Sequence, residues 1–166
     1  MSGVTPGALF RGGENVEIRE IELTEETAGV LLALSRDWEE ENSCYGYRAN
    51  GLEDLEGRRV FLAEDAGETV GYLFGHGYSS RKMSSIMPEG SRCFEVEELY
   101  VIPSRRSMGV GKALFAFAEE TVQGEADYIT LSTATKNWRS ILHFYVDEVG
   151  MELWSSRLFR KLPQQR

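Results

Sequence analysis

The chain is short of the residues on which small secreted and metal-bound folds depend. Its 166 residues include two cysteines, Cys44 and Cys93, far apart, and two histidines, His76 and His143. No Cys-x-x-Cys spacing or Cys/His cluster exists, which excludes a disulfide framework or zinc site and implies no metal. A reducing cytoplasm is the expected setting. No apolar run approaches the ~20 residues that a spanning helix needs, so no membrane partner is expected. The first fifteen residues lack both a basic start and an apolar stretch, so they are not a secretory signal. Positive charge is scarce too: 18 Lys and Arg against 27 Asp and Glu leave a net charge of −9. That balance excludes nucleic acid, whose backbone demands clustered cations, and suits a cationic substrate.

The chain does have ordinary globular character, with 42% hydrophobic and 27% charged residues, and a length that fits one domain. We read residues 1–15 as a loose Gly-rich arm and 16–166 as that domain. Alternation over 16–21 predicts a first strand. Thr24, followed by Glu25, Glu26 and Thr27, predicts a capped helix start running through Leu31 to Trp38. Residues 39–57 are polar and aromatic, with Asn50-Gly51 as a turn marker. Two strands, 59–65 and 69–78, flank the hairpin turn Ala66-Gly67. Two short strands close the chain, 153–155 and 158–162. They fit either the end of a monomer's own sheet or the seam of a homodimer.

The most informative stretch lies between these parts. A strand, Phe94 to Ile102, runs into Pro103, then Ser104-Arg105-Arg106-Ser107-Met108-Gly109-Val110-Gly111-Lys112, then an amphipathic helix to Gln123. A glycine-rich turn that opens a helix leaves several N–H groups without intrahelical acceptors. The helix dipole adds partial positive charge there, so the turn is suited to phosphate. A Walker A loop is excluded, because Arg106 stands where its first glycine belongs and Ala113 follows Lys112. The dinucleotide fingerprint fails at Leu114, where a third glycine is required.

Arg106-x-x-Gly109-x-Gly111, directly after Leu99-Tyr100-Val101, resembles the acetyl-CoA signature of the GCN5-related N-acetyltransferases, the GNAT superfamily. A second segment supports the resemblance: a strand over 128–133, Asn137, Phe144-Tyr145 and Gly150-Met151. Here Met151 stands in place of the family's usual Phe. Four residues separate Tyr145 from Gly150, where the family commonly has three. An added residue turns the remainder of a helix by about 100° and lifts it by about 1.5 Å.

The resemblance covers roughly residues 16 to 162 and implies a GNAT fold, an α/β (α+β) mixed sheet of about seven strands with helices on both faces. It implies an acetyl-CoA-dependent N-acetyltransferase that transfers the acetyl group directly to a primary amine. Cofactor contacts are then expected from Leu99, Tyr100, Val101, Arg106, Ser107, Met108, Gly109, Val110, Gly111, Lys112 and Asn137. A bulge is expected to splay the central strand and free its main chain near Leu99 to Val101. Glu98 is the expected base and Tyr145 the expected proton donor to the leaving thiolate. The acidic and aromatic run around Trp38, Glu39, Glu40 and Tyr45 corresponds to one wall of the acceptor cleft, where charge and ring faces can hold a cation. Two rival readings use the same turn: an acyl-CoA-binding sensor or interaction module without turnover, and a nucleotide-binding domain.

Overall fold

The computed structural model describes residues 8–12 and 14–164, with side chains from Val16 onward. One six-stranded sheet organises them, in the order β1-β2-β3-β4-β5-β6. The strands are β1 (Ala8–Gly12), β2 (Glu14–Ile21), β3 (Arg59–Asp65), β4 (Glu68–Ser79), β5 (Arg92–Val101) and β6 (Tyr128–Leu131). Neighbours are antiparallel from β1 to β5, and β5 pairs with β6 in parallel. The parallel step needs a crossover, which α3 (Val110–Val122) provides. The other helices are α1 (Glu25–Glu41), α2 (Leu52–Leu55) and α4 (Trp138–Leu142).

The sheet is α/β and mixed, with helices on both faces, but it has six strands rather than about seven. Two differences account for this. A strand occupies Ala8–Gly12 and pairs with β2, inside the arm expected to be loose, while residues 1–7 lie outside the described residues. The two closing strands do not form, and residues 152–164 carry no regular structure. They have the alternating pattern of a strand but no hydrogen-bonding neighbour within the described chain.

Local signals place the elements as elementary chemistry directs. Thr24 caps α1 through Oγ1, which accepts from the Thr27 N–H at 3.2 Å, and Thr27 Oγ1 accepts from the Thr24 N–H at 2.8 Å. Ala66 and Gly67 have φ of 50° and 83°, the pair of positive values that a tight hairpin needs. The short α2 has no counterpart in the sequence reading, because four residues do not make a detectable period.

Two cores sandwich the sheet. On one face α3 packs Val110, Leu114, Phe115 and Ala118 against Ile18, Phe61, Leu73, Phe94 and Val96. On the other, α1 and α2 bring Ala28, Leu31 and Leu55 against Leu62, Tyr72, Phe74 and Tyr100.

The register between β4 and β5 breaks once. Phe74 lies opposite Glu98 and Gly75 opposite Val96, so Glu97 is the extra residue. This bulge reverses the alternation of β5. Val96 before it and Leu99 after it therefore both join the α3 core, and Glu98 faces the α1 side with Tyr100. Gly75 makes the bulge possible, since a Cβ there would lie 2.0 Å from the Glu95 carbonyl oxygen.

Candidate active site

The bulge opens the sheet where the turn and the carboxylate meet. β5 and β6 pair only from Cys93–Tyr128 to Val96–Leu131, so beyond Glu97 the strand has β4 alone beside it. The Ile102 N–H donates to the Val70 carbonyl at 3.0 Å on the β4 side. Alternation therefore turns the main-chain groups of Val101 and Leu99 to the open edge. The Val101 carbonyl accepts from Arg106 Nε at 2.8 Å. By the same alternation the Leu99 and Val101 N–H groups face away from β4, to the edge that β6 does not reach. Tyr100 differs from this pair, because its main chain is directed to β4 and its ring is buried. Its hydroxyl donates to Glu41 Oε1 at 2.6 Å.

The turn comes immediately after the strand. A single 3₁₀ turn covers Pro103–Arg105, and the Arg105 and Arg106 N–H groups donate to Ile102 and Pro103. Hydrogen bonding resumes only with the Ala113 N–H donating to Gly109 at 3.0 Å. The amides of Ser107, Met108, Gly109, Val110, Gly111 and Lys112 thus have no backbone acceptor among the described residues. Ser107 (φ 61°) and Gly109 (φ 85°) are left-handed, and left-handed residues of this kind fold successive N–H groups into an anion-binding concavity. Gly111 is open, because a Cβ there would make only ordinary contacts at 3.5 Å to Leu99 and Phe144. Its smallness is therefore not demanded by packing and leaves room for a guest. A phosphate-bearing acyl carrier fits this donor set.

Two of the three cations at the turn are engaged by carboxylates elsewhere. Arg105 pairs with Asp65. Arg106 turns back to α1, where Nη2 donates to both Glu41 oxygens at 2.8 and 2.9 Å. Its guanidinium stands 5.4 Å from the Tyr100 ring centre. Arg106 therefore ties the turn to α1, and Lys112 is exposed.

Glu98 lies on the α1 side of the sheet at the bulge. Its Oε2 accepts from Tyr72 Oη at 2.7 Å, Asn50 Nδ2 at 3.0 Å and Tyr47 Oη at 3.3 Å. Oε1 accepts no hydrogen bond among the described residues. Burial raises the Glu98 carboxyl above its ordinary value, and the three donors pull against that rise. Burial pushes Tyr47 up to about 12 and Tyr72 higher still, so both phenols keep their protons and serve as donors. Ser35 completes the set: its Oγ lies 3.1 Å from Tyr47 Oη and accepts from the Asn50 N–H at 2.6 Å.

Tyr145 stands in a π-helical turn, His143–Glu148, that continues α4. The Val149 N–H reaches the Phe144 carbonyl at 2.9 Å and the Met151 N–H the Tyr145 carbonyl at 2.8 Å. Gly150 then ends the turn at φ 87°. The extra residue between Tyr145 and Gly150 is absorbed in that wider turn. The Tyr145 ring packs near Phe115 and Phe144 at 6.2 and 4.9 Å, beside Leu99 in the same cluster. Burial pushes its phenol up to about 12. Asn137 caps α4 without a side-chain hydrogen bond and is exposed.

The acceptor-wall residues divide. Trp38 stacks against Tyr47 and Tyr100, with ring centres at 4.4 and 5.2 Å, and its Nε1 donates to Ser43 Oγ at 3.2 Å. Tyr45 is exposed; Lys136 Nζ lies 5.4 Å from its ring centre. Glu39 and Glu40 are on the outer face of α1 and exposed, away from the carboxylate network. Ser35 and Trp38 set the inner face, and Glu41 closes it. Sequence reasoning missed Tyr47, Asn50 and Tyr72 as partners of Glu98, since these contacts cross 26 to 51 residues, and Ser35 stands behind them, bonded to Tyr47 and Asn50.

The acetyltransferase (GNAT) family profile matches residues 17–151, and the chain belongs to that family. Its fold recurs in solved structures of low identity. A transcriptional regulator from Bacillus halodurans C-125 has 19% identity and a TM-score of 0.65, covering 89% of this chain and 99% of its own. A ribosomal-protein-alanine N-acetyltransferase from Brucella melitensis biovar Abortus 2308 has 19% identity and a TM-score of 0.62, with 88% and 99% covered. An aminoglycoside acetyltransferase from an uncultured soil metagenomic sample has 13% identity and a TM-score of 0.64, with 89% and 97% covered. Among curated proteins none matches the chain. Acetyl transfer is the activity of the family, and N-acetyltransferases are among its members of this fold.

Proposed function

We propose that the protein is an N-acetyltransferase using acetyl-CoA and a primary amine acceptor, with Glu98 as base and Tyr145 as acid. The observation that carries this reading is the convergence of three features around one bulge: a carboxylate held by three donors, an open pair of strand amides, and a turn of unpaired N–H groups. When bound, acetyl-CoA supplies an activated acetyl thioester. The amides of Ser107 to Lys112 hold its phosphates, and Asn137 lies beyond them at the start of α4. The Leu99 and Val101 N–H groups, fixed before any ligand arrives, polarise a carbonyl oxygen placed against the strand.

The chain's own groups move the protons. Glu98 accepts a proton from the ammonium of the acceptor at Oε1, directly or through water, while Oε2 keeps its three donors. Those donors hold the carboxylate in one rotamer. Tyr145 Oη is protonated throughout the working range and donates to the departing sulfur. The acceptor is best read as cationic. Glu39 and Glu40 are solvated, so they act on it by attraction across solvent, screened over roughly 8–10 Å at moderate salt. The ribosomal-protein-alanine N-acetyltransferase and the aminoglycoside acetyltransferase are named for different acceptors on one fold, so the acceptor is to be found by assay. A panel of amines, from polyamines and aminoglycosides to peptide N-termini, incubated with acetyl-CoA, should release free thiol with at least one member. Tight acetyl-CoA binding with no thiol released by any amine would identify a sensor module in place of an enzyme.

A further inference from the structure

Beyond the bulge, a polar surface lies on the α1 side of the sheet, next to the base. Phe94 and Val96 both join the α3 core, so Glu95 between them faces the other side, as Glu98 does. Glu95 stands opposite His76 on β4 and Thr130 on β6, and residues opposed in this way share a face. The core under α1 and α2 reaches Phe74 on β4 and does not include this row. His76, Tyr78, Glu95 and Thr130 are half-buried. Tyr78 Oη lies 3.0 Å from Thr130 Oγ1, so a side chain of β4 meets one of β6 across β5, beside Glu95. The His76 and Tyr78 ring centres are 6.2 Å apart. Together these residues make a shallow tray with Glu95 in its floor and Glu98 at one end.

Charge singles out Glu95 within the tray. Glu97 is paired with Arg58, and its Oε2 lies 3.0 Å from His76 Nδ1. Glu98 is held by neutral donors. Glu95 has neither an ion pair nor a hydrogen bond among the described residues. Burial raises the Tyr78 phenol and the Glu95 charge adds to the rise, so the ring beside the carboxylate stays neutral. A half-buried carboxylate without a cation of its own, next to a neutral aromatic ring, combines the two features that hold an organic ammonium.

The register sets the spacing. Glu98 stands opposite Phe74 and Glu95 opposite His76. Those partners are two residues apart on β4, which puts the two glutamates about 7 Å apart at ~3.3 Å per residue. An extended chain of about four or five methylene groups separates two terminal nitrogens by a similar distance.

We propose that Glu95 is a specificity-determining residue of the acceptor site, where it holds a second positive charge of the acceptor beside the Tyr78 ring. The class it selects is a flexible aliphatic diamine or polyamine, with one nitrogen at Glu98 and the next at Glu95. A monoamine of equal length leaves Glu95 without a partner and gains nothing from it. The assignment rests on the reading of Glu98 as the base of an acetyltransferase, and binding can be measured apart from turnover.

Matched pairs of amines test this. The full-length chain, with coenzyme A present at neutral pH, is titrated calorimetrically with straight-chain terminal diaminobutane and diaminopentane, and with butylamine and pentylamine. Each diamine should bind about tenfold or more tightly than its monoamine. Glu95→Gln should erase that preference without lowering the melt, since Glu95 makes no bond within the chain. Glu95→Lys should turn the preference toward an amine of the same length that ends in a carboxylate. The same amines are then offered with acetyl-CoA and thiol release is followed. Glu95→Gln should raise KM for the diamines, keep kcat, and leave the monoamines unmoved, whereas a structural role would affect both classes alike. Monoamines that bind as well as diamines, no diamine binding, or a preference that survives both substitutions would each overturn the proposal. Diamine binding that depends on Glu95 but yields no thiol would support the subsite and overturn the enzyme reading instead.

Discussion

Arg106 clasps Glu41 through both carboxylate oxygens, at 2.8 and 2.9 Å, and so joins the glycine-rich turn to the last turn of α1. The same guanidinium donates to the Val101 carbonyl at 2.8 Å, so strand, turn and helix are fixed by one side chain. Neither charge faces the N–H groups of the turn directly. Arg106→Ala and Glu41→Gln should therefore both weaken acetyl-CoA binding, through a looser turn, by about three- to tenfold in an exposed setting. Calorimetry checks this. A loss with Arg106→Ala but none with Glu41→Gln would mean that Arg106 meets the ligand itself.

Glu98→Gln should separate stability from turnover. Burial raises the Glu98 carboxyl in the folded protein, so its stabilising contribution is complete below the unfolded value and is lost as pH rises through the folded value. At neutral pH the ionised group is a net cost relative to an amide, whose oxygen can still accept from Tyr72, Asn50 and Tyr47. The variant should melt no lower than the parent at pH 7 and gain least in acid, while kcat falls by ~10²–10⁴. A kcat equal to the parent's at saturating amine would remove Glu98 from the proton path.

Tyr72→Phe should move the acid limb of kcat/KM to higher pH. The Tyr72 hydrogen bond opposes the rise that burial imposes on Glu98, so its loss raises the carboxyl further. Tyr47→Phe should move it the same way, by less, since its contact is longer at 3.3 Å. A pH–rate profile of each variant decides, and an unmoved acid limb in Tyr72→Phe would mean that Glu98 does not set it.

Gly111→Ala and Gly109→Val should differ in kind. An added Cβ at 111 makes ordinary contacts, so stability should change by less than about 0.5 kcal/mol. Acetyl-CoA affinity should nevertheless fall, by roughly tenfold or more, because the methyl fills the ligand's approach. At 109, where φ is 85°, a β-branched residue should cost ~1–3 kcal/mol in strain as well. Thermal melts read beside titration calorimetry distinguish the two. An unaltered affinity in Gly111→Ala would make the turn a structural helix start.

Tyr145→Phe should keep cofactor affinity and the melt, since the ring packs through its apolar body against Phe115 and Phe144. Turnover should drop to about a hundredth or less severely, because a thiolate is a good leaving group and asks little of an acid. Single-turnover kinetics with an unchanged rate would leave Tyr145 a packing residue.

What the sequence displayed was whatever is local. The Thr24 cap, the Ala66-Gly67 turn and the Arg106-x-x-Gly109-x-Gly111 turn each act through neighbours within a few residues, and all were readable. A bulge was expected only through the family resemblance, with free main chain near Leu99 to Val101; it falls at Glu97, and its cause at Gly75 lies on the adjacent strand. The donors to Glu98 come from α1, the loop after it and β4, and no periodicity announces such a meeting. Leu31, Ser35 and Trp38 already define the inward face of α1 at helical spacing, which sends Glu39 and Glu40 outward and brings Glu41 in. The closing segments carry the sequence pattern of strands, but a strand also needs a paired neighbour, and among the described residues they have none.

The π-helical turn at His143–Glu148 bears on how this chain can be compared with its kin. An added residue in a regular helix displaces everything after it, so such changes are normally confined to loops. Here the widened turn stores the surplus where it arises. Asn137 and Tyr145 keep the spacing of the shared pattern, and Gly150 still closes the element. An alignment that places the gap in a loop would misassign every position between Tyr145 and Met151. Placed inside the helix, the gap coincides with the widened turn, and Gly150 closes the element at φ 87°.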